Sequence, residues 1–329
     1  MIPYNNFIDA IFNINNKVDF NKIALDVFRF QAINNQVYKD YINKLGIKIH
    51  TINDIKKIPF LPIEFFKTHK VLTNTQKYDI IFTSSGTTGL QTSKHYIADL
   101  KIYEKSFLQS FKNFYGDISQ YTILALLPSY LERKGSSLIY MMNKLIEKAD
   151  KQSGFYLNNL DELAQKIKEL KSSDKKIFLI GVSYALIDLA ENFNLNLSDC
   201  IVMETGGMKG KRKELSKEEL HNFLSKKFNV KNIHSEYGMT ELLSQAYSQG
   251  KGIFKTQPWM QVLIRDIYDP FSYVKNNNSG GINVIDLANI YSCSFIETKD
   301  LGKLHKNGNF EILGRFDNSD IRGCNLLIQ

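Results

Sequence analysis

From residue 79 to residue 228 short apolar runs alternate with longer amphipathic ones, and this alternation limits the fold more than any other feature of the chain. The runs at 79–83, 122–127, 177–181 and 200–204 read as strands, and the segments 99–113, 137–149, 159–171, 183–192 and 216–228 carry helical apolar spacing. Strands and helices taken in turn build a mostly parallel sheet covered by helices. Upstream, residues 1–60 read as helices, with Ile23, Val27, Phe30, Ile33, Val37, Tyr41 and Leu45 at helical spacing from Phe20 to Leu45. Pro59 and Pro62 forbid a regular helix in IPFLPIEFFKTHKV at 58–71, whose aromatics should anchor it to a core. Beyond residue 250 helical spacing stops, and short strands are expected at 261–267, 281–287, 293–298 and 310–313, punctuated by glycines. The expected organisation is a helical cap plus α/β core over 1–250, and a β-rich subdomain of the same large domain over 251–329.

Composition removes several classes of function. With 43% hydrophobic and 23% charged residues the chain reads as an ordinary folded protein rather than a disordered or fibrous one. Cys200, Cys293 and Cys324 lie too far apart for a thiolate zinc site or a disulfide framework, which suits a reducing, cytoplasmic setting. The start, MIPYNNFIDAIFNI, has no basic segment before an apolar stretch, and no window reaches the roughly 18 apolar residues of a spanning helix. Neither secretion nor membrane insertion is expected. The net charge of +8 comes from lysines dispersed among Asn and Ile, as in KNNNSGG at 275–281, and this is a solvated surface rather than a nucleic-acid stripe. Arginine is scarce, so Arg133, Arg212, Arg315 and Arg322 are the more informative cations.

Three segments carry chemistry. After the strand YDIIF comes Thr83-Ser84-Ser85-Gly86-Thr87-Thr88-Gly89, whose hydroxyls and amides can wrap phosphate oxygens as an anion nest, although a plain polar turn has the same composition. The G-x-x-x-x-G-K-[ST] spacing of a Walker loop is absent. In His234-Ser235-Glu236-Tyr237-Gly238-Met239-Thr240-Glu241 an aromatic can stack on a base, a hydroxyl can meet a phosphate, and Glu241 offers the hard carboxylate that Mg²⁺ takes. Asp300-Leu301-Gly302 and Gly314-Arg315-Phe316-Asp317 set an acid, able to accept ribose hydroxyls, before an arginine fork for ribose or phosphate.

The order TSSGTTG, YGMTE, D-x-G, GR-x-D resembles the motif series of adenylate-forming enzymes, the superfamily of acyl-CoA synthetases, luciferases and adenylation domains. Within it, IPFLPIEFFKTHKV, LLPSYLERKGSSLIYMM at 126–142, ETGGMKGKRKE at 204–214 and the ending RGCNLLI resemble the acyl-protein synthetase (LuxE) family, over nearly the whole chain. That resemblance implies the α/β fold of the adenylate-forming N-terminal domain. It also implies an ATP-dependent acid–thiol ligase that turns a fatty acid into acyl-AMP and passes the acyl group to a cysteine. ATP and Mg²⁺ would be its cofactors, and an acyl reductase or acyltransferase its protein partner. Carried over by motif, Ser84, Ser85, Gly86, Thr87, Thr88 and Gly89 hold the β- and γ-phosphates. Gly206, Gly207 and Met208 lie along adenine, Tyr237 stacks on it, and Thr240 touches the α-phosphate. Glu241 holds Mg²⁺, and Asp300 takes the ribose hydroxyls with Arg315 beside it.

Two departures stand out. No Pro-Lys-Gly follows the phosphate loop, so Lys94 arrives late for a phosphate ligand, and the chain ends shortly after GRFD, without the mobile C-terminal domain whose lysine assists adenylation. Within the run Lys209, Lys211, Arg212 and Lys213, Arg212 is the expected replacement cation, against the plainer reading of an exposed basic helix start. The resemblance places the acyl-accepting thiol at Cys324, where Arg322 would lower its pKa, against the plainer reading of an apolar filler. Cys200 and Cys293 read as core residues, His69 and His234 as satisfied polar groups, and Trp259 as packing. The alternatives are an acyl- or aryl-CoA ligase of the phenylacetate type and a non-catalytic scaffold in an acyl-transfer complex.

Overall fold

The computed structural model describes residues 7–84, 91–128, 135–157, 159–206 and 215–316. Two units divide the chain, one built from Met1–Asn74 with Pro258–Gln329 and the other from Thr75–Gln257. The division differs from a single boundary at residue 250, because the N-terminal helices share a unit with the C-terminal strands.

That first unit begins with helices α1 (Phe7–Phe12), α2 (Lys17–Asn34) and α3 (Gln36–Lys44). The helical spacing of residues 20–45 is divided between α2 and α3. Asn35 breaks it with extended φ −105° and ψ 110°, its N–H closing α2 on the Gln31 carbonyl and its side chain accepting from Tyr38 N at the start of α3. Asparagine does this readily because its short amide satisfies the amides that a new helix leaves unpaired. As the two prolines require, the segment that follows is irregular, with a short strand β1 (Leu61–Pro62) and a single helical turn α4 (Phe65–Thr68).

The second unit starts with a hairpin of β2 (Ile80–Thr83) and β3 (Lys94–Ile97). Its chain then runs α5 (Leu100–Tyr115), β4 (Tyr121–Leu126), α6 (Ser137–Lys148), β5 (Gly154–Phe155), α7 (Leu160–Leu170), β6 (Lys176–Val182), α8 (Ser183–Asn192), β7 (Ile201–Thr205) and α9 (Lys217–Phe228). It closes with β8 (His234–Tyr237), β9 (Ala246–Ser248) and β10 (Phe254–Lys255). Strands lie in the order β10-β9-β8-β7-β6-β4-β5, with β8, β7, β6, β4 and β5 parallel. Every residue of β4 is buried, the mark of a strand covered on both faces, and the alternating pattern of the sequence is realised as a mixed α/β unit.

The remaining strands complete the first unit as an antiparallel meander: β11 (Met260–Arg265), β12 (Ser279–Asp286), β13 (Phe295–Leu304) and β14 (Phe310–Arg315). β1 pairs in parallel with the first part of β13, Leu61 opposite Ile296. Phe295 gathers Phe28, Tyr38 and Phe60 about its ring, and the Gln31 amide donates to the carbonyls of Asn289 and Ile290, both at 3.0 Å. Trp259 is fully buried against Phe12, as a packing residue should be.

Candidate functional site

The Ser/Thr/Gly segment is the connection of an antiparallel hairpin whose register runs from Ile80 opposite Ile97 to Thr83 opposite Lys94. Its base is closed by two bonds: Ser84 N donates to the Ser93 carbonyl at 3.1 Å, and Ser93 N donates to Ser84 Oγ at 3.0 Å. Thr83 N donates to the Gly135 carbonyl at 2.7 Å. Gly135 holds φ +84°, and a Cβ there would stand 3.2 Å from Thr83 Oγ1, so glycine suits the position twice over. Of the expected phosphate ligands, Ser84 sits at this base; Ser85, Gly86, Thr87, Thr88 and Gly89 lie outside the described residues. Lys94 is exposed at the far side of the hairpin base.

His95, on the same strand and fully buried, reaches across to the YGMTE turn. Its Nδ1 lies 2.8 Å from the Thr240 carbonyl. A carbonyl can only accept, so Nδ1 carries the proton. This bond brings the Ser/Thr/Gly hairpin and the Thr240–Glu241 turn into one place, and the turn itself is held by Leu242 N donating to the Met239 carbonyl at 3.1 Å. Glu241 is 5% exposed. Among the described residues no group of three His, Cys, Asp or Glu forms a metal cage. One buried carboxylate on a turn tied to the Ser/Thr/Gly hairpin nevertheless fits Mg²⁺, which is bound through one or two carboxylates together with substrate phosphates.

The carboxyl ends of β7 and β8 supply the second group, at the edge where open α/β sheets commonly hold ligands. Thr205 stands opposite Glu236 and donates to its Oε2 at 2.6 Å. Burial pushes the Glu236 carboxyl up to about 7, helped by the charge of Glu204 and opposed by the Thr205 bond and Lys217. Gly238 leaves the space this carboxyl uses, since a Cβ there would fall 2.4 Å from Glu236 Oε1. Tyr237 is buried, its ring edge-on to Phe254 at 6.1 Å. Gly206 begins the turn after β7 with φ +68°, and its carbonyl accepts from Ser183 Oγ at 3.1 Å. Gly207, Met208 and the cation run with Arg212 lie outside the described residues.

Motif reading missed the charges beneath these strand ends. Glu204, 2% exposed, takes Lys217 Nζ at 2.7 Å and stands 3.5 Å from His221 Nε2. Burial alone would raise its pKa, but His221 and Lys217 outweigh that and hold the carboxyl at about 2. Lys217 and His221 carry no motif; the sequence signal available was the capping box from Ser216 to Glu219, which fixes the start of α9 and so the place of Lys217 in its first turn.

In the first unit, Asp300 and Arg315 are cross-strand partners joined at 3.0 Å. Arg133, Arg322 and Cys324 lie outside the described residues. Cys293 is buried and burial pushes its thiol up to about 12, whereas Cys200, expected in the core, is partly exposed in the turn before β7. His234 is a satisfied polar group: its Nδ1 lies 3.2 Å from the Tyr115 hydroxyl, and burial lowers its pKa to about 4.

Comparison with known proteins follows this geometry. A family model described as acyl-protein synthetase, LuxE, matches residues 11–329. No curated protein matches the chain in sequence. Among solved structures, ATP-bound MatB from Rhodopseudomonas palustris is 17% identical with a TM-score of 0.55, over 71% of this chain and 47% of that one. A 2-hydroxyisobutyryl-CoA ligase in complex with 2-HIB-AMP and CoA is 11% identical with a TM-score of 0.66, over 92% and 71%. A luciferase-like enzyme from the nonluminescent mealworm Zophobas morio is 17% identical with a TM-score of 0.54, over 75% and 59%. The chain thus spans about half the length of the MatB structure that it matches. The shared fold is that of adenylate-forming enzymes.

Proposed function

This chain belongs to the acyl-protein synthetase (LuxE) family, and on that premise we propose that it activates a fatty acid with ATP and passes the acyl group to a protein cysteine. The observation that carries the reading is the His95–Thr240 bond, which joins the hairpin of the phosphate loop to the turn bearing Thr240 and Glu241. A fatty carboxylate oxygen attacks the α-phosphorus of ATP, the bond to the β-phosphate breaks, and pyrophosphate leaves. A thiolate sulfur then attacks the acyl carbon, and AMP leaves. A carboxylate is already a nucleophile, so the first step asks for charge stabilisation rather than a protein base.

In this reading Ser84 to Gly89 cradle the β- and γ-phosphates, Thr240 meets the α-phosphate, and Arg212 supplies the further cation. Glu241 holds Mg²⁺, which when bound neutralises charge on phosphate oxygens. Gly206, Gly207 and Met208 line one side of adenine, Tyr237 the other, and Asp300 with Arg315 receives the ribose. Cys324 accepts the acyl group, for delivery to an acyl reductase or acyltransferase. No described helix is long and apolar enough to cross a membrane.

The test is covalent labelling. Incubated with ATP and radioactive long-chain fatty acid, the protein should hold a hydroxylamine-labile label that Cys324→Ser abolishes. Label retained by that variant would place the nucleophile elsewhere. A second reading, coenzyme A as acceptor, draws on the likeness to a CoA-bound ligase; rapid CoA consumption with no protein label would favour it.

A further inference from the structure

We propose that Lys217 is a positioning residue that sets the width of the adenine slot by tying its two walls to a single ammonium group. This rests on the reading above, which puts the Gly206 turn on one side of the base and Tyr237 on the other.

Lys217 occupies an unfavourable place. It is the first residue of α9, inside a capping box, where the positive end of the helix dipole repels a cation. A residue that breaks a local rule in a well-capped helix calls for an offsetting contact, and here there are two. Toward β7, Nζ lies 2.7 Å from Glu204 Oε1. The other Glu204 oxygen, Oε2, is 3.4 Å from Ser183 Oγ, which is also 3.1 Å from the Gly206 carbonyl, so one hydroxyl proton is shared between the carboxylate and the turn. Toward β10, the same Nζ lies 5.1 Å from the centre of the Phe254 ring, within cation–π range. Phe254 is fully buried and meets the Tyr237 ring edge-on at 6.1 Å.

The path from Gly206 to Tyr237 thus runs from the Gly206 carbonyl through the side chains of Ser183, Glu204, Lys217 and Phe254. The turn between β9 and β10 is shaped to admit the lysine stem: Gly252, at φ +65°, brings its backbone so close that a Cβ there would stand 3.3 Å from Lys217 Cδ. His221, 3.5 Å from Glu204 Oε1 and 3.3 Å from Ser235 Oγ, holds the carboxylate from the β8 side. Removing the ammonium frees both walls at once, while the phosphate hairpin and the Thr240 turn keep the His95 bond that joins them.

The experiment is steady-state acid-dependent ATP–pyrophosphate exchange by the full chain, with wild type, Lys217→Met, Lys217→Arg and Phe254→Leu compared. Lys217→Met should raise the KM for ATP roughly ten- to hundredfold, leave the KM for the acid within about twofold, and narrow the preference for ATP over GTP. Lys217→Arg, which keeps a cation for both contacts, should recover most of the loss. Phe254→Leu should shift the KM for ATP in the same direction, and it serves as the measurement if Lys217→Met does not fold. Unchanged KM for ATP in the folded variants would overturn the proposal. Parallel loss of kcat with both KM values, unrescued by arginine, would overturn it equally by making Lys217 a general structural residue. Absence of exchange in the wild type would instead refute the adenylation reading itself.

Discussion

Asp300 and Arg315 face each other across β13 and β14, and the arginine Nε lies 3.0 Å from the aspartate Oδ1. The acid is nearly buried, while the arginine side chain is 73% exposed. An exposed pair of this kind contributes less than about 1 kcal/mol to stability. Arg315→Ala should therefore leave the urea midpoint almost unmoved and raise the KM for ATP, and Asp300→Asn should raise it further. A large loss of stability without a change in KM would make the pair a structural clamp rather than part of a ribose site.

Glu204 gives a pH signature. Its carboxyl is held at about 2, against an ordinary 4.5, by His221 and Lys217 acting over the cost of burial. A depressed folded-state pKa contributes stability that is present above about 4.5 and lost as pH falls toward 2. Glu204→Gln should cost about 1.5–3 kcal/mol at neutral pH because it removes the charged partner of Lys217, which is itself one-third exposed. Denaturation of both proteins from pH 7 downward should bring the curves together below about 4.5.

Glu236 carries the opposite sign. Burial raises its carboxyl to about 7, so its contribution is fully present below the ordinary 4.5 and is lost as pH rises through 7. Glu236→Gln should be less sensitive to pH, with its melting temperature gaining on wild type between pH 5 and 8. Thr205→Val removes the hydroxyl that donates to the carboxylate, and should move the wild-type transition upward in pH. An unchanged transition would show that Thr205 has no hold on this proton.

A buried arginine organises the meander. Arg265 donates from Nη1 to the Ile282 carbonyl at 2.9 Å and to Asn283 Oδ1 at 3.0 Å, and from Nη2 to the Thr298 carbonyl at 2.8 Å. Gly281 makes room for it, since a Cβ there would fall 2.4 Å from the guanidinium carbon. Gly281→Ala should cost about 2–4 kcal/mol through those displaced bonds. Chemical denaturation of the variant would measure it; a cost under about 0.5 kcal/mol, the range of a neutral surface change, would mean that the arginine has another place to go.

Much of the α/β unit was legible because parallel strands buried on both faces leave continuous apolar runs, as YTILAL does in β4. The Ser/Thr/Gly segment and the YGMTE turn stood out in the sequence for a different reason, since close approach and tight turns admit few residue types, but the strand β3 that makes the first of them a hairpin was not expected. The break at Asn35 was hidden because α2 and α3 both keep helical spacing on either side of it. The pairing of β1 with β13 was hidden because its partners lie more than two hundred residues apart and a two-residue strand has no period. Lys217, His221 and Arg265 escaped notice for a common reason: each is a polar side chain on a regular element, and the fold alone brings it beside its partner.

The central claim is acid-dependent adenylation, and its most direct measurement is exchange of radioactive pyrophosphate into ATP by the purified chain with Mg²⁺ and fatty acids of graded length. Exchange should depend on the acid and fall at least about a hundredfold in Glu241→Ala, as removal of a charge-stabilising group at a phosphoryl centre requires. Absence of exchange with every acid, or exchange of equal rate in that variant, would contradict the account.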